Sequence, residues 1–173
     1  MNRIWLSLIG IFATASISAQ TDSLLEEFNN VDKNRIENYS KNLTVNTSNK
    51  EFEIVAQNKT KWDGVNLLIN TVDLSTYPLI AFKIKSNANV TVRIDLIEKN
   101  GTKTLVSNAI ALSKSVFGDG NWNYIFFDFT GHFNQMWPEP AALNPKNISG
   151  LSIGLNPGAP FTGTVVIDSI SMG

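Results

Sequence analysis

The stretch Gly163-Thr-Val-Val-Ile-Asp-Ser-Ile-Ser-Met-Gly173 decides the fold. Its Val and Ile residues predict a strand, but they alternate imperfectly with the polar residues, which predicts a β-bulge near Asp168. A strand at this position stays ordered only if a sheet holds it. The first strand-like segment after the leader, residues 24–30 (Leu-Leu-Glu-Glu-Phe-Asn-Asn), is its natural partner. Pairing the two would close a sandwich and bring carboxylates from both strands together.

Strand signals dominate the rest of the chain. The ten candidates are Leu24–Asn29, Leu43–Asn46, Glu51–Gln57, Val65–Asn70, Leu79–Ser86, Val90–Glu98, Thr104–Leu112, Asn123–Phe129, Leu151–Leu155 and Thr164–Ser171. Turn-forming residues separate them, and Asn100-Gly101 is the clearest hairpin signal. We therefore expect an all-β protein, an antiparallel β-sandwich (jelly roll) of about ten strands. Helix is expected at most as one turn within Arg35–Lys41 or Leu74–Tyr77.

The N-terminal residues have the pattern of a secretory signal peptide. A basic Arg3 precedes an apolar run, and small residues follow it, so we place the leader at 1–19 and a single β-sandwich domain at 20–173. The signal predicts a bacterial protein that is secreted, extracellular or periplasmic, with no membrane attachment after cleavage. The apolar run is too short to span a bilayer by itself, and an uncleaved anchor is the alternative.

Composition narrows the function. A net charge of −1 gives no electrostatic reason to bind nucleic acid. The chain has no Cys, so it has neither disulfides nor a lipid-attachment cysteine. Its stability must come from its core, with a bound metal as a possible supplement.

Catalysis has weak support in the sequence. Gly150-Leu-Ser-Ile-Gly154 matches the nucleophile-elbow pattern, but a turn follows it where that motif requires a helix. The single His, His132, precedes Ser152, whereas that family places its His after the Ser. The acidic residues lie on separate predicted strands and loops, so no glycosidase pair stands out. We expect no catalytic residues.

Sugar binding needs flat aromatic faces and a few polar groups. Trp137 lies in an irregular loop, Trp62 precedes Asp63-Gly64 at a strand entrance, and Trp122 begins a strand that is aromatic on both faces. All three are candidates to stack on a sugar ring. The alternative for Trp122 is a place in the core, since a strand that is apolar on both faces can be central.

Four charged residues are the candidate polar contacts. Lys83 and Lys85 alternate with core residues on one strand, and Arg93 and Asp95 do so on the next. If the two strands are neighbours, their four side chains form one polar face suited to hydroxyl groups or an acidic sugar. A solvated face with cross-strand ion pairs is an equally good interpretation.

Calcium is the expected metal because it takes oxygen ligands, including backbone carbonyls. Glu27 and Asn29 near the start of the domain and Asp168 near its end could share an ion if the terminal strands pair. The alternative is that Asp168 only caps the bulge and Glu27 is exposed.

Several segments together resemble secreted carbohydrate-binding modules with the galactose-binding-like jelly roll. They are Leu24–Phe28, Trp62–Val65, Val72–Pro78, Trp122–Tyr124, Phe127–Thr130, Asn147–Leu151, Asn156–Gly158 and Gly163–Gly173. The resemblance implies non-catalytic binding of a polysaccharide or oligosaccharide, a structural calcium between the terminal strands, and a partnership with a surface or enzyme assembly. The alternatives are an adhesion or structural domain that binds a protein, and a small polysaccharide lyase or hydrolase.

Overall fold

A computed structural model describes residues 23–28, 32–47, 50–60, 62–100, 103–133 and 143–173. The predicted leader, Asn29 and Trp137 lie outside these ranges. Within them, no helix is long and apolar enough to cross a membrane.

The described chain is built from eleven strands and two short 3₁₀ helices. The strands are β1 (Ser23–Glu26), β2 (Ile36–Asn38), β3 (Leu43–Asn46), β4 (Phe52–Lys59), β5 (Gly64–Val72), β6 (Leu79–Ser86), β7 (Val90–Asn100), β8 (Lys103–Val116), β9 (Asn123–Asp128), β10 (Ile148–Leu155) and β11 (Phe161–Met172). The 3₁₀ helices are Lys33–Arg35 and Pro145–Asn147. All ten predicted strands are present. Where a helical turn was expected, Ile36–Asn38 instead forms β2 and Leu74–Tyr77 runs through bends.

The strands form two antiparallel sheets. The six-stranded sheet has the order β3-β4-β11-β6-β9, with β1 also paired to β11, and the five-stranded sheet has the order β2-β5-β10-β7-β8. The expected all-β antiparallel sandwich is therefore confirmed.

The C-terminal strand organises its sheet as its sequence predicted. It pairs with β1 in the register Ser23↔Met172 and Leu24↔Ser171. Its register to β6 shifts between Ile167 and Ser169, so the bulge near Asp168 is confirmed. On the two sides of this bulge, Ile167 and Ile170 are both fully buried although they are three positions apart, an odd spacing that a regular strand would place on opposite faces.

The core lies between the two sheets and is filled by alternate residues of the strands. The fully buried residues Val92, Ile94 and Leu96 follow the period of two on β7. Phe28 stacks on Phe52 with ring centroids 5.2 Å apart, which packs the segment after β1 against β4.

One predicted juxtaposition is wrong. Lys83 and Lys85 lie on β6 in the six-stranded sheet, whereas Arg93 and Asp95 lie on β7 in the five-stranded sheet. Because the chain crosses from one sheet to the other between these strands, the two charged pairs occupy opposite outer faces of the sandwich. A period of two indicates which side chains point outward, but it does not indicate which sheet a strand joins.

Candidate functional site

A cleft of about 190 Å³ opens on the outer face of the five-stranded sheet. It combines aromatic rings, charged groups and the backbone of a central strand. Its lining residues are Tyr39, Trp62, Asp63, Arg93, Asp95, Ser152, Gly154, Leu155 and Pro157. Three of the predicted ligand-binding residues, Trp62, Arg93 and Asp95, meet here.

The charged centre of the cleft is a two-bond ion pair on β7. Arg93 Nε donates to Asp95 Oδ2 at 3.0 Å, and Arg93 Nη2 donates to Asp95 Oδ1 at 2.9 Å. Burial raises the pKa of Asp95, while the hydrogen bond and the charge of Arg93 act against that rise. The pair places fixed donors and acceptors on the floor of the cleft, where hydroxyl groups of a ligand could meet them.

Two aromatic rings form the wall beside this pair. Trp62 is 66% exposed and Tyr39 is 55% exposed, so both present apolar ring surface to solvent. The guanidinium carbon of Arg93 lies 5.9 Å from the centroid of the Trp62 ring, within the range of a cation–π contact. The ring and the charged pair therefore form one continuous surface.

Asp63 fixes the loop that carries Trp62. Its Oδ2 accepts hydrogen bonds from Thr60 N at 2.9 Å, Thr60 Oγ1 at 3.0 Å and Asn42 Nδ2 at 3.2 Å. Desolvation raises the pKa of Asp63, but hydrogen bonds from Asn42, Thr60 and Ser40 outweigh it and lower the pKa to about 2. The carboxylate therefore stays charged and ties the loop to the turn before β3.

Lys59 holds the other rim of the cleft. This lysine is fully buried at the end of β4, and its Nζ donates to the carbonyl of Thr60, to Asn156 O at 3.2 Å and to Ala159 O at 2.9 Å. Burial lowers the pKa of Lys59, and the charge of Asp63 acts against that shift. Because Asn156 and Ala159 flank Pro157, the ammonium fixes the turn that lines the cleft.

Gly64 allows Tyr39 to approach β5. A Cβ at position 64 would lie 2.8 Å from the carbonyl oxygen of Ile153 and would also collide with the Tyr39 hydroxyl. Real Cβ atoms do not make contacts this short, so the tyrosine can take this place only beside a glycine.

The remaining described candidates lie on the opposite face of the molecule. On the outer side of β6 and β9, Trp122 is 38%, Tyr124 64% and Phe126 50% exposed. Lys85 Nζ lies 4.1 Å and Lys83 Nζ 5.3 Å from the Trp122 ring centroid. Strand β9 belongs to a two-layer sandwich, so one of its aromatic faces packs in the core and the other faces solvent.

The described residues do not test the calcium prediction. Asp168 Oδ2 accepts from Lys83 Nζ at 3.0 Å, so a lysine supplies its positive partner. Within the described ranges, no three His, Cys, Asp or Glu side chains gather into a metal-binding group. Glu27 is exposed and Asn29 lies outside the described residues, so calcium binding stays a prediction.

The segment that matches the nucleophile-elbow pattern, Gly150–Gly154, forms part of a regular strand. Ser152 lies in the middle of β10, paired with Asn66 on β5 and Asp95 on β7. A serine at the centre of a regular strand lacks the sharp strand–turn–helix geometry that the motif requires.

Sequence reasoning missed part of the cleft. Tyr39, Asp63 and Pro157 were not predicted as site residues, although Asp63 is adjacent to Trp62 in the chain. The available signal was Asp63-Gly64, since a glycine directly before a strand can permit a close approach of another chain segment. Tyr39 falls within Arg35–Lys41, where a helical turn was predicted, and no local pattern there indicates a ligand contact.

Solved structures with the same architecture were found by comparison. A family 11 carbohydrate-binding module from Clostridium thermocellum, in complex with a β-1,3-1,4-mixed-linked tetrasaccharide, has a TM-score of 0.64 at 17% identity, covering 88% of this chain and 95% of that one. A family 29 carbohydrate-binding module has a TM-score of 0.51 at 12% identity, covering 88% and 84%. An exo-β-agarase has a TM-score of 0.57 at 16% identity, covering 89% of this chain but 25% of that one.

No family model matches the sequence, and no curated protein matches it. At these identities the structural likeness establishes the fold alone. The chain has the antiparallel β-sandwich fold of these carbohydrate-binding modules.

Proposed function

We propose that this protein is a non-catalytic polysaccharide-binding module and that the cleft on its five-stranded sheet receives the sugar chain. The observation that carries the proposal is the union of the exposed Trp62 ring with the Arg93–Asp95 ion pair in one cleft. The C–H face of a pyranose packs on an aromatic ring, and its hydroxyls exchange hydrogen bonds with charged groups.

The size and floor of the cleft also suit an extended ligand. It is smaller than the roughly 300–1,000 Å³ of pockets that enclose drug-sized molecules, and residues of the paired strands β7 and β10 form its floor. A short stretch of a polymer could lie across β10 and β7 with its ends in solvent. The family 11 neighbour, solved with a tetrasaccharide, supports this choice of ligand class.

The proposed module binds polysaccharide without catalysing a reaction on it. Two carboxylates line the cleft, Asp63 and Asp95, and the proposal gives the first a role in fixing the loop and the second a role in binding beside Arg93. The exo-β-agarase is four times longer than the region it shares with this chain, which is consistent with a module that accompanies catalytic domains. We also propose that a leader at 1–19 exports the module to meet polysaccharide outside the cell.

Binding is tested by native affinity electrophoresis in gels that contain mixed-linked β-glucan, xylan, galactomannan or agarose. We expect the wild type to be retarded by at least one polymer and Trp62→Ala to lose about tenfold in affinity, or ~1.4 kcal/mol. Tyr77→Ala is the matched control, because Tyr77 is an exposed aromatic residue outside the cleft. An unchanged mobility of Trp62→Ala, or no retardation of the wild type by any polymer, would refute the proposal.

The calcium proposal has a separate test. If an ion binds between the terminal strands, a chelator should lower the melting temperature and added calcium should restore it. Identical melting curves in chelator and in calcium would reject the ion.

A further inference from the structure

The outer face of the six-stranded sheet carries a second aromatic surface. We define the aromatic platform as Trp122, Tyr124 and Phe126 together with Lys83 and Lys85. The three rings occupy alternate positions at the start of and along β9, all on the solvent side, while Ile125 and Phe127 fill the core. Large exposed rings gathered on one face of a sheet indicate a binding surface.

The charges of the platform compensate each other. Lys83 Nζ lies 3.0 Å from Asp168 Oδ2, and Lys85 Nζ lies 3.4 Å from Glu51 Oε1. Both ammonium groups also lie over the Trp122 ring. Because each lysine already has a carboxylate partner, the surface favours a neutral ligand rich in hydroxyl groups over an acidic one.

The same arrangement disfavours a protein partner. The buried centre of a protein–protein interface is depleted in charged residues. Here two ion pairs lie directly beside the rings, and a protein that covered the platform would have to desolvate them. A sugar chain leaves such groups partly hydrated and can bridge to them through its hydroxyls or through water.

Spacing supports an extended ligand. Side chains two residues apart on a strand are separated by roughly 7 Å, so Tyr124 and Phe126 form a row along β9. A row of rings on an edge strand matches a linear polymer better than a compact molecule.

We infer that the aromatic platform is a second polysaccharide-binding site that binds a neutral glycan independently of the cleft. This inference rests on the proposed function of the cleft. The platform and the cleft lie on opposite outer faces of the sandwich, so one straight segment of polymer cannot occupy both. The module would therefore be bivalent and would join two glycan chains.

The test uses the full chain and four proteins: wild type, Trp62→Ala, the double variant Tyr124→Thr/Phe126→Thr, and the combined triple variant. Threonine retains strand propensity on β9, and melting curves report folding of each protein. We would measure retardation in the same polymer gels and the turbidity of dilute mixed-linked β-glucan and galactomannan solutions. Size-exclusion chromatography reports the oligomeric state.

We expect each single-face variant to lose at least tenfold in apparent affinity for polymer and the triple variant to lose all binding. Only the wild type should make a polymer solution turbid, since only it can join two chains. If the double variant binds and cross-links like wild type while Trp62→Ala is weakened, the platform inference fails and the cleft proposal stands. If wild type binds no polymer, both fail. A dimer that disappears in the double variant would assign the platform to a second copy of this chain.

Discussion

Arg93 is the residue on which the cleft depends most directly. It holds Asp95 through two parallel bonds and lies near the Trp62 ring, so its planar guanidinium serves two partners at once. Lysine keeps the charge but cannot make the two-bond contact.

Arg93→Lys should therefore weaken polysaccharide binding by about tenfold, or ~1.4 kcal/mol, and change the free energy of unfolding by less than about 1 kcal/mol, since partly exposed ion pairs contribute little to stability. Titration calorimetry and urea unfolding of the same preparations separate the two effects. Unchanged affinity together with a large loss of stability would show that the pair is structural.

Asp63 gives a prediction about acid stability. Its pKa is lowered to about 2 in the folded protein from 3.8, so the unfolded chain takes up a proton first as the pH falls. The stabilisation by the carboxylate is complete above about pH 4 and disappears as the pH falls towards 2.

Asp63→Asn should consequently melt at a lower temperature than wild type at pH 7, and the gap should close between pH 4 and 2. Thermal unfolding monitored by circular dichroism across that range measures it. Glu37→Gln is the control, because Glu37 is exposed and accepts a hydrogen bond from Asn66 Nδ2 at 3.2 Å, away from the Trp62 loop. A gap that persists at pH 2 would mean that the carboxylate charge is not what fixes the loop.

At the scale of elements, Lys59 connects the end of β4 to the turn between β10 and β11. Its buried ammonium satisfies three backbone carbonyls, which would lose their donor if it were removed. The carbonyls belong to exposed or half-buried residues, so water can replace part of what the ammonium supplies. Hydrogen bonds to a charged group contribute roughly 1.5–3 kcal/mol.

Lys59→Met, which keeps most of the side-chain volume, should lower the free energy of unfolding by about 2–4 kcal/mol and weaken sugar binding through movement of Pro157. Lys41→Met, at an exposed lysine, should change it by less than about 0.5 kcal/mol. Chemical denaturation and affinity electrophoresis give both readouts. Equal stability of the two variants would exclude a structural role for the ammonium.

The strands show which features the sequence predicts and which it does not. Periodicity placed Lys83 and Arg93 outward and Val92 and Ile94 inward, because burial on one face imposes alternation on each strand. It could not assign β6 and β7 to different sheets, since both arrangements leave the alternation unchanged. The cleft was only partly predicted for a related reason. The order of strands in the sheet brings Trp62 and Asp95 together, and the local residue pattern does not predict that order.

At the scale of the whole molecule, the order of strands places β11 at the centre of the six-stranded sheet. β11 lies between β4 and β6 and also pairs with β1, so it joins elements from the beginning and the middle of the chain. Its residues Val165, Ile167 and Ile170 are fully buried. By contrast, β1 pairs with β11 alone among the strands that the structure describes, and it lies off the main path of the sheet.

Removal of residues 161–173 should therefore abolish the fold, because it divides the six-stranded sheet and exposes its core face. Removal of residues up to 26 should leave a folded domain with a lower melting temperature, since the path β3-β4-β11-β6-β9 stays intact. Thermal unfolding and amide proton spectra compare the two truncated chains with the full chain. A synthetic peptide of residues 161–173, added to the first of them, should restore dispersed amide signals by filling the central position. A chain without β11 that still melts cooperatively would show that the five-stranded sheet and its cleft fold without the rest of the sandwich.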